Sequence, residues 1–367
     1  MTYLKELYSK HIKCKNIDEA LIFIALVSQF LPYVFSGLVA AVVSIRALVL
    51  SLAKKDALKS VDGKLILAFF VINLLSPFFH KNYLGVACFF GVSLILIFAV
   101  YAKKHMTVEL FSKIANAISF MSICTALVAV IQKYTLYNRA PSVFFNPNYY
   151  GAVIIFVVLM CVYRLITRDG SRIFAIVTIC ANFVGLLMAD CQSAFFSIAL
   201  GVWLILLFTK KYKLLIPITV LGVVGVICLP YLTFIMPRIT NAVENITIRS
   251  GIWNAGINEF LKVPFFGRGM MGYLQIYKIY GSQYNFHCHN LIIDMLLSFG
   301  VIGNIPLVWF VLKNLFSFKG KKYTPLILAL VGAVLLHGLV DVTVAWIQTG
   351  IILAFFLSCS NIKKENC

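Results

Sequence analysis

Long apolar runs, separated by short basic connections, recur along this chain from residue 20 to residue 359, and no other feature limits its fold as strongly. Of 367 residues, 61% are hydrophobic and 12% are charged. A water-soluble domain cannot bury that much apolar surface, whereas helices of about 20 residues in lipid can. No run shows the alternating pattern of an outer-membrane barrel. The first 15 residues are polar and more membrane follows the first run, so no cleavable signal peptide is expected. The expected fold is an all-α polytopic membrane protein, a single integral-membrane domain over 1–367 with about twelve transmembrane helices. The spans fall near 20–33, 36–53, 65–80, 84–102, 114–132, 149–166, 174–190, 192–209, 214–236, 291–312, 324–340 and 343–359. Residues 20–53 also read as one long helix broken at Pro32.

The net charge of +19 does not signal nucleic acid, because the basic residues sit in clusters between apolar runs. With the N-terminus in the cytoplasm, 23 lysines and arginines fall on the cytoplasmic side, 8 on the other, and Arg46 within a span. That asymmetry follows the positive-inside rule. Both termini are then cytoplasmic, and the one large loop, 237–290 between the ninth and tenth spans, faces away from the cytoplasm. The ten cysteines offer no secure pair, since five fall within apolar runs and the others are scattered over the cytoplasmic side, the large loop and a helix end. Neither a Walker-type phosphate loop nor a dinucleotide fingerprint is present.

The large loop gathers most of the polar chemistry. Residues 250–263 read as a short amphipathic helix with Trp253, Ile257, Phe260 and Leu261 on one face and Pro264 as its stop. Arg249 then falls just before the first turn, where free N–H groups, the helix dipole and a guanidinium fork would hold a phosphate or diphosphate. An arginine snorkelling to the interface reads equally well. His287 and His289 flank Cys288. A closed zinc site needs four ligands and no second cluster supplies them, so no metal is expected, and a histidine acting as general base fits better. His337 and Asp341 are four apart and should pair on one helix face as a structural contact. Near the same membrane side, Asn146-Pro147 marks a turn, and Asn148 or its neighbours read as a cap for the following span in the first place, or as ligands for sugar hydroxyls.

These residues resemble the O-antigen ligase and O-antigen polymerase family of bacterial surface-polysaccharide enzymes. The resemblance rests on Asn146-Pro147-Asn148-Tyr-Tyr-Gly151, on Arg249-Ser-Gly-Ile-Trp253-Asn-Ala255 followed by Pro264-Phe-Phe-Gly267-Arg268-Gly269, on His289-Asn290-Leu-Ile-Ile-Asp294, and on Gly300-Val-Ile-Gly303. It implies an enzyme of the bacterial cytoplasmic membrane with its active site outside. The enzyme would transfer glycan from an undecaprenyl-diphosphate-linked donor to a sugar hydroxyl of an acceptor, without cofactor or metal. It implies that Arg249 holds the diphosphate and that His289 serves as base or positions the acceptor. Many relatives carry a Ser-Arg pair at the start of the span that here begins Cys191-Gln192-Ser193-Ala194, so Gln192 would replace the arginine. Either Arg238 or Arg268 would then supply the missing charge, or the diphosphate would be held differently. His287, Asn290, Asn148 and Trp253 are the expected glycan-binding residues.

A polymerase of lipid-linked repeat units is the leading expectation, with a flippase and a chain-length regulator as accompanying partners. A ligase or protein O-oligosaccharyltransferase is the alternative within the family. A lipid-linked oligosaccharide flippase or transporter is the alternative of another class. Arg46 is the one basic residue within a span and the remaining polar groups gather at one face, which favours the enzyme.

Overall fold

The computed structural model describes residues 15–54, 59–228, 231 and 242–362. Arg238, one of the expected diphosphate ligands, lies outside the described residues, as do His11, Cys14 and Cys367. The regular elements among the described residues are all helices, with no β-strand. The helices are α1 Ile17–Val27, α2 Tyr33–Ala53, α3 Val61–Leu74, α4 Ser76–Phe79, α5 Tyr83–His105, α6 Val108–Thr135, α7 Pro147–Thr167 and α8 Arg172–Ala189. They continue with α9 Gln192–Phe208, α10 Tyr212–Cys228, α11 Ala242–Lys262, α12 Tyr273–Ile276, α13 Leu291–Ser317, α14 Thr324–Gly338 and α15 Ile347–Ser358.

Each expected apolar run contains a helix. By length and composition, seven helical segments among the described residues can cross a membrane: α2, α3 joined to α4, α5, α6, α7, α8 and α13. α9, α10, α14 and α15 are apolar but shorter. Residues 20–53 do not form one helix. α1 tightens into a 3₁₀ turn at Ser28–Phe30, and Pro32 caps the start of α2.

The outward faces match a lipid surround. On α2 the exposed side chains Val34, Leu38, Val42, Ile45, Val49 and Leu52 recur at steps of three and four. Such a stripe would be a liability in water and is ordinary in lipid. The interior centres on α7, whose side chains from Tyr149 to Cys161 are all buried. α8 packs against α6 and α7, α14 against α9, α15 against α5, and α3 against α13. Arg46, expected within a span, donates to Asp18 at 2.8 Å and to the Tyr101 hydroxyl at 3.2 Å. Pairing of this kind is what a charge at that depth requires.

α13 is broken, and the break shapes the site end of the molecule. Gly300 has φ 62° and ψ −173°, outside helical geometry. The break frees two carbonyls before it and two N–H groups after it. Residues 264–269 satisfy all four. Arg268 N donates to Leu297 O and Gly269 N to Ser298 O, each at 2.8 Å. Val301 N donates to Pro264 O at 2.8 Å and Ile302 N to Phe265 O at 3.0 Å. Non-helical backbone at membrane depth persists only where protein satisfies it in this way. The contact also explains the glycines: a Cβ at Gly300 would overlap the Phe265 backbone, and one at Gly267 would lie 2.5 Å from Leu297 O. Asn304 adds a side-chain bond to Gly300 O at 2.6 Å.

Replacing Gly300 with alanine should therefore destabilise the protein by about 1–3 kcal/mol from backbone strain alone, with further loss from the overlap. Thermal unfolding of the purified protein in detergent measures this. An unchanged midpoint would mean that the break does not require glycine.

Candidate functional site

Connections from one end of the bundle converge on a buried carboxylate. Asn290 caps α13, its side chain accepting from the Ile292 and Ile293 N–H groups. Its amide donates to Leu339 O at 3.1 Å, which ties the start of α13 to the end of α14. Just before the cap, His289 adopts φ +49°, and its N–H donates to His287 Nδ1 at 3.2 Å. This tight turn turns both imidazoles to one side. Cys288 points the other way, into a small apolar cluster with Ile252, Ala255, Tyr273, Ile276 and Leu297. The thiol is thus packing material and no partner of the two histidines.

The third member of the cluster is Asp341, three residues beyond α14. α14 ends at Gly338, and the hydrogen bond between His337 and Asp341 is a backbone one, Asp341 N to His337 O at 3.1 Å; their side chains act on each other electrostatically. Asp341 Oδ1 accepts from the Val342 N–H at 2.8 Å and faces His289 Nδ1 at 3.2 Å and His287 Nε2 at 3.5 Å. Its other oxygen accepts from the Asn148 amide. Burial opposes the charge on Asp341, but the His289 hydrogen bond and the nearby histidines outweigh it and hold the carboxyl well below its ordinary range. Burial also holds the His287 ring below the ordinary histidine range, against the pull of Asp341, so His287 is neutral at pH 7.

The hydrogen bonds assign the tautomers. His287 Nδ1 accepts a backbone N–H, so its proton lies on Nε2 and points at Asp341. Asn285 Oδ1 accepts the Phe286 N–H at 3.0 Å, so its amide nitrogen faces His289 Nε2, at 2.5 Å. Neutral His289 therefore carries its proton on Nδ1, toward Asp341, and a lone pair on Nε2. The ligand atoms of His287, His289 and Asp341 lie within 4.8 Å of one another, close enough to share a metal ion. The hydrogen bonds fit such an ion poorly. His287 Nε2 would have to lose its proton, and the shifted tautomer would set Nδ1–H against the His289 N–H.

The cap expected at Asn148 or its neighbours forms at Asn146, whose side chain accepts from the Asn148 and Tyr149 N–H groups. Asn148 bridges instead, receiving an Arg139 N–H on its carbonyl oxygen at 2.7 Å while its amide reaches Asp341. Arg139 also donates to Ala189 O at 3.1 Å. Gln192 is the first residue of α9, next to Cys191, whose thiol lies 3.8 Å from His337 Nε2.

Arg249 is not at a helix start. α11 begins at Ala242, so Arg249 sits about two turns inside it, and the expected anion site on free N–H groups does not form there. Ser250 and Gly251 resemble a cap in sequence, but the helix runs through them because its packed face is Ile252, Ala255, Gly256 and Glu259. The expected face is largely turned outward, with Ile257 and Leu261 exposed. The guanidinium of Arg249 nevertheless acts electrostatically on His337, and His337 acts on Asp341. Trp253 Nε1 reaches His289 O at 3.4 Å. Thus Arg249, Trp253, His287, His289, Asn290 and Asn148 converge on one region.

Arg268 is engaged elsewhere, with Nε 2.5 Å from the buried carboxylate of Glu259. The Tyr280 hydroxyl donates to the same carboxylate at 2.9 Å. Lys262 also reaches it, at 3.3 Å, but is mostly exposed and contributes little. Burial raises the Glu259 pKa, yet Tyr280 and Arg268 outweigh it and the net shift is downward. The stability this carboxylate contributes is therefore present above its unfolded pKa, about 4.5, and is lost as pH falls through the lower folded value. Glu259→Gln should flatten that acid limb. Melting midpoints taken from pH 7 down to pH 3 should fall less steeply for the variant than for the wild type, and parallel curves would contradict the assignment.

Residues 174–308 match the family model described as O-antigen ligase. No curated protein matches the chain. The matched stretch contains α11, the 264–269 loop, both histidines and the break in α13, while Asn148 and Asp341 lie outside it. The match supports the O-antigen ligase/polymerase family for this multi-pass membrane protein.

Proposed function

We propose that the protein is a membrane glycosyltransferase that polymerises lipid-linked repeat units outside the cytoplasmic membrane. The donor glycan is carried on undecaprenyl diphosphate. A sugar hydroxyl of the lipid-linked acceptor attacks the anomeric carbon, the bond from that carbon to the diphosphate oxygen breaks, and the hydroxyl proton passes to His289 Nε2. The observation that carries this reading is the His289–Asp341 contact. Asp341 holds the Nδ1–H tautomer and stabilises the imidazolium that forms. The Asn285 amide now covers the Nε2 lone pair, and the acceptor hydroxyl would displace it.

Arg249 supplies positive charge for the leaving diphosphate. Arg268 is bonded to Glu259, which makes it a supporting residue that steadies the 264–269 loop. Arg238 and Gln192 are further candidates for the diphosphate. Asn148, Asn290, Trp253 and His287 position the base or the acceptor. The chemistry needs no metal and no cofactor. The large loop 237–290 faces outward and both termini lie in the cytoplasm, a reading that the charge asymmetry supports.

The family description names a ligase, which favours transfer of a finished glycan to another acceptor as the second reading. The glycan of a deletion strain separates the two. A polymerase leaves single repeat units on the acceptor, and a ligase leaves the acceptor bare.

Purified protein supplied with lipid-linked repeat units should form polymer in the presence of EDTA. His289→Ala should lower the rate by about 10²–10⁴-fold. Arg249→Lys should remain strongly impaired, because it keeps the charge and loses the fork. Near-normal rates from His289→Ala would remove the proposed base. Activity abolished by EDTA would show that a metal acts after all.

A further inference from the structure

A cavity of about 220 Å³ lies beside His287, bounded by α5, the 270–271 turn, the start of α13 and the segment that leads into α15. Cys88, Gly91, Met270, Met271 and Ile347 make its lining chiefly apolar, and Tyr149 and Trp346, stacked at 5.3 Å, also border it. His287 and Asp294 reach it too, but each already bonds within the protein. His287 uses Nδ1 for the His289 N–H and turns Nε2 to Asp341, and Asp294 accepts the Cys288 N–H at 2.9 Å. A sugar placed there would leave most hydroxyls without partners, at a large cost. A hydrocarbon would not. An apolar cavity of about 150 Å³ holds benzene, so this one has room for a branched five-carbon unit. The two methionines are flexible enough to shape themselves around it.

We infer that this cavity receives the prenyl carbons of the donor lipid next to the diphosphate. This rests on the glycosyltransferase reading and adds the place where the lipid is recognised. The cavity shares His287 with the Asp341 cluster, so a chain seated in it carries its diphosphate end toward His289 and Arg249. Gly91 makes the assignment testable: it lines the cavity, and a Cβ there meets no atom within 4 Å. A side chain can therefore start from position 91 without its Cβ displacing a neighbour.

Two measurements on the full-length protein in nanodiscs test the inference. In the first, a small apolar thiol reagent modifies wild-type protein, and mass spectrometry follows Cys88. Undecaprenyl diphosphate should slow modification of Cys88, while inorganic diphosphate and a free acceptor oligosaccharide should not. In the second, with a free acceptor oligosaccharide as the other substrate, Gly91→Leu should raise the KM for the lipid-linked donor at least about tenfold, the scale on which pocket methylenes discriminate, and should leave the KM for that oligosaccharide as it is. Protection of Cys88 by the oligosaccharide would give the cavity to the acceptor and overturn the inference. Glycan transfer with neither lipid protection nor a donor KM change would also overturn it while leaving the glycosyltransferase reading standing. Protection by the lipid without glycan transfer would support the cavity and sink that reading.

Discussion

A carboxylate buried among helices must be surrounded by donors or it will not stay charged, and Asp341 organises its end of the molecule on those terms. The donors come from far apart in the chain. His287 and His289 arrive from the turn before α13, Asn148 from the start of α7, and the Val342 N–H from the chain that leaves α14. Arg139 holds the far side of Asn148. One anion thereby fixes the rings of two histidines and joins the ends of three helices. A base whose proton sits on the wrong nitrogen is useless for deprotonating a hydroxyl, so the same interaction that stabilises the assembly also prepares His289 for its proposed role.

The second organising element is the break at Gly300. It trades helical hydrogen bonds for four bonds to residues 264–269 and so fastens the loop after α11 to α13. The Glu259–Arg268 pair anchors the same loop to α11 itself. Together these contacts hold α11, with Arg249 and Trp253, against the turn that carries His287 and His289. Rigid support of this kind keeps a charged leaving-group partner and a base in register.

The helices were legible because an apolar run of membrane length has few other folds open to it. The 114–132 run, for example, lies wholly within α6. The start of α11 was not legible. Ser250-Gly251 looks like a helix cap, and packing by Ile252, Ala255 and Glu259 overrides that local signal. Arg249 and His289 stood out from their motifs, but Asp341 did not, since its partners lie 52 and 193 residues away in sequence. The i, i+4 spacing to His337 pointed to a structural pair. The one available signal was an acid near the end of an apolar run, where a charge must find company. Arg268 read as a free anion ligand because its partner Glu259 is nine residues back, on a face that the amphipathic pattern assigned to solvent.

The most direct test of the central claim is the tautomer of His289. Nitrogen-15 NMR of protein labelled at its six histidines, with His289 assigned by comparison with a His289→Gln sample, reports which ring nitrogen bears the proton. Measured above the pH at which histidines are charged, His289 should show a protonated Nδ1 and a bare Nε2, and Asp341→Asn should disturb that pattern. A proton on Nε2 with Nδ1 bare would contradict the account, because neither the contact with Asp341 nor the proposed base could then stand as described.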